Sequence, residues 1–206
     1  MSDIIYRGAE AEIVKSTFLS NDVVLKRRLK KSYRIDEIDN RLISSRTKEE
    51  AKLISEARKS GVSVPIIFDV NLNEGTIVMQ YLKGQRIKDV ISEIPDEERK
   101  RLCLKIGKNI AKLHNSDIIH GDITTSNMIL SEGKISFIDF GLGELNPEIE
   151  AKGVDLHVLM EAIESTHSKY SECFKFVLEG YKRESKSDAN LVIKKIDEIV
   201  KRGRYR

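Results

Sequence analysis

Apolar and polar positions alternate at short range in the first part of the chain. Ile4 and Tyr6, Ala11 and Ile13, and Val23-Val24-Leu25 are β-prone pieces separated by Gly8 and by Ser20-Asn21-Asp22; such spacing predicts an antiparallel meander. Residues 44–60 then turn to a helical period. Thr47 is the expected N-cap, Glu49 and Glu50 fall in the first turn, and Gly61 follows the end. Val64-Pro65 breaks the pattern, because the residue before a proline is pushed out of the helical region. Residues 66–70 and 76–81 predict two strands joined by a turn over 71–75. Past Gly84 the texture becomes helical. Residues 87–91 predict a short helix, and Pro95-Asp96-Glu97-Glu98 opens a long one with Leu102, Ile106, Ile110 and Leu113 on one face. Residues 127–130 and 135–138 predict two short strands around Glu132-Gly133, residues 154–163 and 173–181 are helical, and Asp188 is the expected cap of a final amphipathic helix through Leu191, Ile193, Ile196 and Ile199. A β-rich front and a helical back predict an α+β chain in two lobes, 1–83 and 84–206, with the boundary near Lys83-Gly84.

Composition narrows the class only a little. The 206 residues are 40% apolar and 33% charged, with a net charge of +3, so overall charge does not single out a nucleic-acid binder. The distribution is more pointed. Lys26, Arg27, Arg28, Lys30, Lys31 and Arg34 stand in one run without an acid, and Lys201 to Arg206 carries four more bases. Such runs attract phosphate, although they also serve as solvated surface. Cys103 and Cys173 are the only cysteines. Both sit in apolar helical patterns and read as core residues in a reducing setting. The first residues carry no apolar signal region, and no apolar run approaches the roughly 20 residues of a membrane span. A cytoplasmic location, with no membrane, is the expectation.

The chemistry concentrates in His120-Gly121-Asp122-Ile123-Thr124-Thr125-Ser126-Asn127 and in Ile138-Asp139-Phe140-Gly141. Phosphoryl transfer needs alignment and charge neutralisation more than covalent chemistry. Asp122 can orient an attacking hydroxyl and take its proton. Asn127 and Asp139, twelve positions apart across a predicted hairpin, can supply hard oxygen ligands to Mg²⁺. A lone Asp-Phe-Gly is weak, but the ordered set at this spacing is specific. ATP use then requires a strand lysine and a helix glutamate. Lys26 closes Val23-Val24-Leu25-Lys26, and of Glu49 and Glu50 the second lies on the same face as Ile54 and Ala57. Met79-Gln80-Tyr81-Leu82 suits an adenine hinge, and Gly8-Ala9-Glu10-Ala11 takes the place of a phosphate-covering loop, with one glycine where such loops carry several.

These residues resemble the PRPK-type small atypical kinase subunit of the KEOPS tRNA-modification complex, on a protein-kinase-like bilobal fold with a small β-rich lobe and a truncated helical lobe. The resemblance spans nearly the whole chain. It rests on glycine before Asp122, on Asp122-Ile123-Thr124-Thr125-Ser126-Asn127, Gly8-Ala9-Glu10-Ala11, Lys31-Ser32-Tyr33-Arg34, Arg46-Thr47 ahead of Glu49-Glu50-Ala51, Gly153-Val154-Asp155-Leu156, Glu164-Ser165-Thr166-His167 and Arg202-Gly203-Arg204-Tyr205-Arg206. It implies an ATP- and Mg²⁺-dependent serine/threonine kinase or ATPase that supports threonylcarbamoyladenosine formation at position 37 of tRNA. It also implies a larger metal-binding threonylcarbamoyl-transferase subunit and other KEOPS subunits as partners. By the same resemblance Asp122 is catalytic, Lys26 and Glu50 are an ion pair, Asn127 and Asp139 hold metal, and Asp155 anchors the catalytic loop. Only fourteen positions separate Gly141 from Asp155, and about fifty residues follow Asp155. That leaves little platform for a peptide and argues for hydrolysis or autophosphorylation coupled to a partner. The run from Lys201 with Tyr205 within it is expected to be a flexible end that contacts tRNA or folds toward the ATP cleft. Two alternatives stay open: a small-molecule phosphotransferase of the aminoglycoside or choline kinase-like type, and a non-catalytic scaffold of kinase shape.

Overall fold

The structure is a computed structural model and describes residues 3–204 apart from residue 187. The N-terminal alternations form β1 (Asp3–Arg7), β2 (Ala11–Phe18) and β3 (Asn21–Arg28). With β4 (Ile67–Asn71) and β5 (Thr76–Gln80) they make an antiparallel sheet in the order β1-β2-β3-β5-β4. Register is set in the centre, where Lys26 pairs with Ile13 on β2 and with Ile77 on β5. Central placement makes β3 a rigid base for any side chain it presents.

Helix α1 runs over Asp36–Lys59 and so begins eight residues ahead of the expected start. Thr47 is not its N-cap. It lies mid-helix, fully buried, with its hydroxyl donating to the Ile43 carbonyl at 2.7 Å. Asp36, Glu37 and Asp39 occupy the first turn, where negative charge complements the exposed amides. Ile43, Thr47, Glu50, Leu53, Ile54 and Ala57 are buried at helical steps along one stripe.

After the connection come β6 (Gln85–Arg86), α2 (Ile87–Val90), α3 (Asp96–His114), β7 (Ile118–Ile119), the hairpin of β8 (Met128–Ser131) and β9 (Lys134–Phe137), and β10 (Glu144–Leu145). Helices α4 (Ile149–Thr166), α5 (Cys173–Glu184) and α6 (Ala189–Arg204) complete the chain. Leu102, Ile106, Ile110 and Leu113 form the buried face of α3 and share a core with Leu159, Val177, Tyr181 and Val192. Full burial of such a side chain contributes about 1.5–3 kcal/mol. Cys103 and Cys173 are buried free thiols, as core residues should be. Among the described residues no helix is long and apolar enough to cross a membrane.

The C-terminal run departs from the expected free end. Lys201 to Arg204 continue α6, and Arg202 pairs with Glu150 at the start of α4. Tyr205 and Arg206 lie outside the described residues. Asp188 directly precedes α6, and its carboxylate receives Lys152 at 2.9 Å and the Ser185 hydroxyl at 3.1 Å.

Candidate functional site

Strand alternation puts Lys26 and Arg28 on the buried face of β3, while Arg27 between them is exposed. Lys26 Nζ donates to Glu50 Oε1 at 2.5 Å and to Asp139 Oδ1 at 2.7 Å. One ammonium thus joins β3, α1 and the turn after β9. Burial alone would lower the Lys26 pKa, but Glu50 and Asp139 outweigh it and hold the amine above its ordinary value, so it stays charged. Burial would likewise raise the Asp139 carboxyl, yet the Lys26 charge and hydrogen bond keep it below its usual range. Glu50 is buried. Glu49 is half exposed and lies 3.8 Å from Lys52, so of the two glutamates it is Glu50 that reaches Lys26.

The segment from His120 is held from behind by Asp155 on α4. Its Oδ2 accepts the His120 amide and its Oδ1 the Gly121 amide, both at 2.9 Å, and His114 Nε2 lies 3.2 Å from Oδ2. Desolvation pushes Asp155 up, while the His114 hydrogen bond and charge pull it below the usual carboxylate value. His120 is fully buried, and desolvation lowers its pKa, so the ring is neutral. Its Nε2–H donates to the Ile138 carbonyl at 3.1 Å and its Nδ1 accepts the Asp122 amide at 3.3 Å. The ring packs on Phe140 with centroids 4.5 Å apart. Asp122 is therefore tied, through its own amide and the His120 ring, to the Ile138 carbonyl just ahead of Asp139.

Asn127 completes the set at the end of a 3-10 turn over Thr125–Asn127. Its Nδ2 donates to the Asp122 carbonyl at 2.9 Å and to Asp122 Oδ2 at 2.8 Å, and its carbonyl accepts the Ile138 amide at 3.0 Å. Both amide protons are spent on Asp122, so Oδ1 is the amide atom with which Asn127 could meet a cation. That oxygen and the half-exposed Asp139 carboxylate are hard donors of the kind Mg²⁺ takes alongside phosphate oxygens. Among the described residues no cluster of three His, Cys, Asp or Glu side chains forms a ready metal cage. A metal here would thus depend on the substrate's own oxygens. Asp139 itself sits at φ +64°, a conformation rare outside glycine that turns its carboxylate toward Lys26.

A cavity of about 250 Å³ opens in front of these groups. It is lined by Gly8, Ala9, Glu10, Ala11, Lys26, Asp122, Asp139 and Gly141, together with Tyr6, Ile13, Arg28, Arg46 and Leu142. The β1–β2 turn therefore covers the cavity despite its single glycine. Arg46 on α1 meets Glu10 at 3.0 Å, and Lys31 Nζ donates to the Ala9 carbonyl. Met79, Gln80, Tyr81 and Leu82 do not line it; they stand at the end of β5 and the connection after it, where the Tyr81 amide donates to the Asp22 carbonyl at 3.1 Å. The cavity is smaller than the roughly 300 Å³ at which ligand pockets begin, which fits its confinement to the end that holds the charges. Arg28 and Arg46 also line the cavity, although the sequence marks them only as part of a basic run and of the Arg46-Thr47 motif. Arg28 was findable, because a residue two after Lys26 on a central strand must share its face.

Comparison with known proteins accords with this geometry. A family model described as the RIO domain matches residues 9–142. The KEOPS complex subunit Bud32 of Pyrococcus abyssi is 48% identical, over 98% of this chain and 96% of that protein. A probable serine/threonine-protein kinase BUD32 homolog of Archaeoglobus fulgidus is 42% identical, over 98% of this chain and 95% of its own length. A probable bifunctional tRNA threonylcarbamoyladenosine biosynthesis protein of Methanobrevibacter smithii is 47% identical over 98% of this chain, which spans 37% of that longer protein. On the RIO-domain match and on near full-length identity to such relatives, the chain belongs to the RIO-domain family of Bud32-type atypical kinases.

Proposed function

We propose that the chain is an ATP- and Mg²⁺-dependent atypical serine/threonine kinase and ATPase that supports threonylcarbamoyladenosine formation at position 37 of tRNA. It would act in the cytoplasm as the small subunit of a KEOPS-type complex. The observation that carries the reading is the single ammonium of Lys26 held between Glu50 and Asp139, with Asp122 and Asn127 tied to the same turn. Bound ATP and Mg²⁺ would supply the phosphoryl group and the charge neutralisation. The chain's own residues do the rest. Lys26 binds phosphate oxygens, Glu50 fixes Lys26, and Asn127 and Asp139 hold the metal. Gly8 to Ala11 cover the phosphates, and Met79 to Leu82 seat the adenine. Asp122 orients the attacking hydroxyl or water and accepts its proton. Residues 1–83 and 84–206 serve as the two lobes that meet over the nucleotide.

The names of the relatives favour this reading over a small-molecule phosphotransferase or an inert scaffold. In the bifunctional relatives the matching part is about a third of a longer protein. The counterpart of the remainder is here proposed to be a separate partner, the larger metal-binding threonylcarbamoyl-transferase subunit. The basic run Lys201 to Arg206 would meet tRNA through the assembled complex, with Arg202 released from Glu150. ATP turnover of wild type and Asp122→Ala, alone and with tRNA plus the larger partner, tests the proposal. Loss of a correctly placed base lowers turnover about a hundredfold or more. Equal turnover by the two proteins would overturn the kinase reading.

A further inference from the structure

Glu50 holds two cations rather than one. Lys26 Nζ takes Oε1 at 2.5 Å, and Arg28 Nη2 takes Oε2 at 2.6 Å. Arg28 is 8% exposed and lines the same cavity as Lys26. Its Nε is buried with no hydrogen-bond partner among the described residues, although buried donors are nearly always paired. The guanidinium is thus held here for Glu50 and not for a bonding pattern of its own. Gly141 lets these charged groups close in: a Cβ there would lie 3.2 Å from Asp139 Oδ1 and 3.4 Å from both Arg28 Nη2 and Lys26 Nζ.

The charge count gives this arrangement a purpose. Without ligand, Lys26 and Arg28 balance Glu50 and Asp139. If Asp139 turns to metal and Lys26 to phosphate, their 2.7 Å ion pair parts when nucleotide binds. Lys26 and Glu50 alone would then sum to zero, and such a pair attracts phosphate less strongly than one whose carboxylate is shared with a second cation. With Arg28 retained, Glu50 is neutralised independently and one positive charge remains for the phosphates in a partly dry cavity, where charges are weakly screened. We propose that Arg28 is a positioning residue that occupies Glu50, so that Lys26 can exchange Asp139 for a phosphate oxygen. This inference rests on the reading of the cavity as the nucleotide phosphate site.

A binding cycle tests it. ADP and ATP affinities are measured by calorimetry for wild type, Arg28→Gln, Arg28→Lys, Glu50→Gln and the double variant Arg28→Gln/Glu50→Gln, with thermal unfolding run in parallel. Arg28→Gln should weaken nucleotide binding about tenfold, the size of one close charge coupling, and raise the KM for ATP more than it lowers kcat. Arg28→Lys, which keeps the charge, should stay within about threefold of wild type. In the Glu50→Gln background the Arg28 change should cost less than about twofold, because there is no carboxylate left to compete for Lys26. Wild-type affinity in folded Arg28→Gln, or the same loss in both backgrounds, overturns the proposal and leaves a structural role. If Arg28→Gln does not fold, Arg28→Lys in the two backgrounds decides: a loss of a few-fold that disappears with Glu50→Gln supports the proposal, and one that persists overturns it. Failure of the wild type to bind either nucleotide would instead remove the phosphate-site reading itself.

Discussion

At position 121 a side chain would have to share space with a carbonyl. Gly121 has φ +81°, and a Cβ placed on it would lie 2.1 Å from the Leu142 oxygen. Gly133, in the hairpin turn, has a similar φ of +74° but nothing within 4 Å. Both positions carry the cost of a left-handed backbone for an L residue, about 1–2 kcal/mol; only Gly121 adds a backbone collision. Gly121→Ala should therefore lower the urea midpoint clearly more than Gly133→Ala, and turnover should fall with it because Asp122 rides on the same loop. Equal losses at the two sites would show that backbone conformation alone sets the cost. His167 provides a second residue-scale test. It is buried between Thr125 Oγ1 (3.2 Å) and Ser92 Oγ (3.4 Å), and burial lowers its pKa from 6.5. The unfolded chain then binds a proton below about pH 6.5 that the folded ring resists, so stability falls as pH drops through that value. His120 acts with the same sign. His167→Gln should flatten part of that slope in pH-dependent thermal melts, while leaving the melts above pH 7 nearly parallel to those of wild type.

Helices α3 and α5 show how two glycines set the separation of two elements. A Cβ at Gly107 would lie 1.9 Å from the Val177 carbonyl oxygen, and one at Gly180 would lie 2.1 Å from that of Leu104. Each helix places a glycine under the other's backbone, so the axes approach more closely than side chains allow. Alanine is the better helix former by about 1 kcal/mol, yet Gly107→Ala must push the pair apart. Forced overpacking costs about 1–3 kcal/mol, so the net change should be a lower Tm; a rise would mean that propensity outweighs packing. Such contacts between distant segments leave no periodic trace in one sequence, which is why they were not legible there. The same distinction explains the other elements. The strands, α3 and the β8–β9 hairpin were readable because a single face is apolar at one period. The start of α1 was not, because the apolar residues of its first turns, Ile38 and Leu42, are exposed while Asp39 is buried, so the inward face carries no apolar stripe before Ile43. The meeting of Lys26 with Glu50 and Asp139, and of Asp122 with Asn127, follows offsets along elements that the sequence carries. Arg28 was legible only through strand alternation from Lys26, and Arg46, between Ser45 and Thr47, carries no local pattern that marks it as facing the cavity.

Across the whole molecule, the route from Asp139 to α4 decides what can approach the site. Gly141 leads into β10, which pairs at once with β7 through Glu144 with Ile119 and Leu145 with Ile118, and α4 begins at Ile149. The chain there is spent on a strand pair and a helix start. A peptide substrate needs an extended surface beside the catalytic aspartate to hold it in a near-attack position, and effective molarity from such holding accounts for a large part of the rate. With that surface this short, free serine or threonine peptides should stimulate ATP consumption little, even at millimolar concentration. The proposed partner and tRNA would act differently. They can complete the cover over the cavity and exclude water, which strengthens every charge interaction around Lys26 and Asp139. Initial rates of ADP release should therefore rise several-fold or more when the larger partner and tRNA are added together to wild type, and not when either a basic serine/threonine peptide or Asp122→Ala is substituted in the same assay. A peptide that saturates and matches the tRNA effect would place the useful acceptor on free protein, and the short segment after Gly141 would then have to be read as a complete platform.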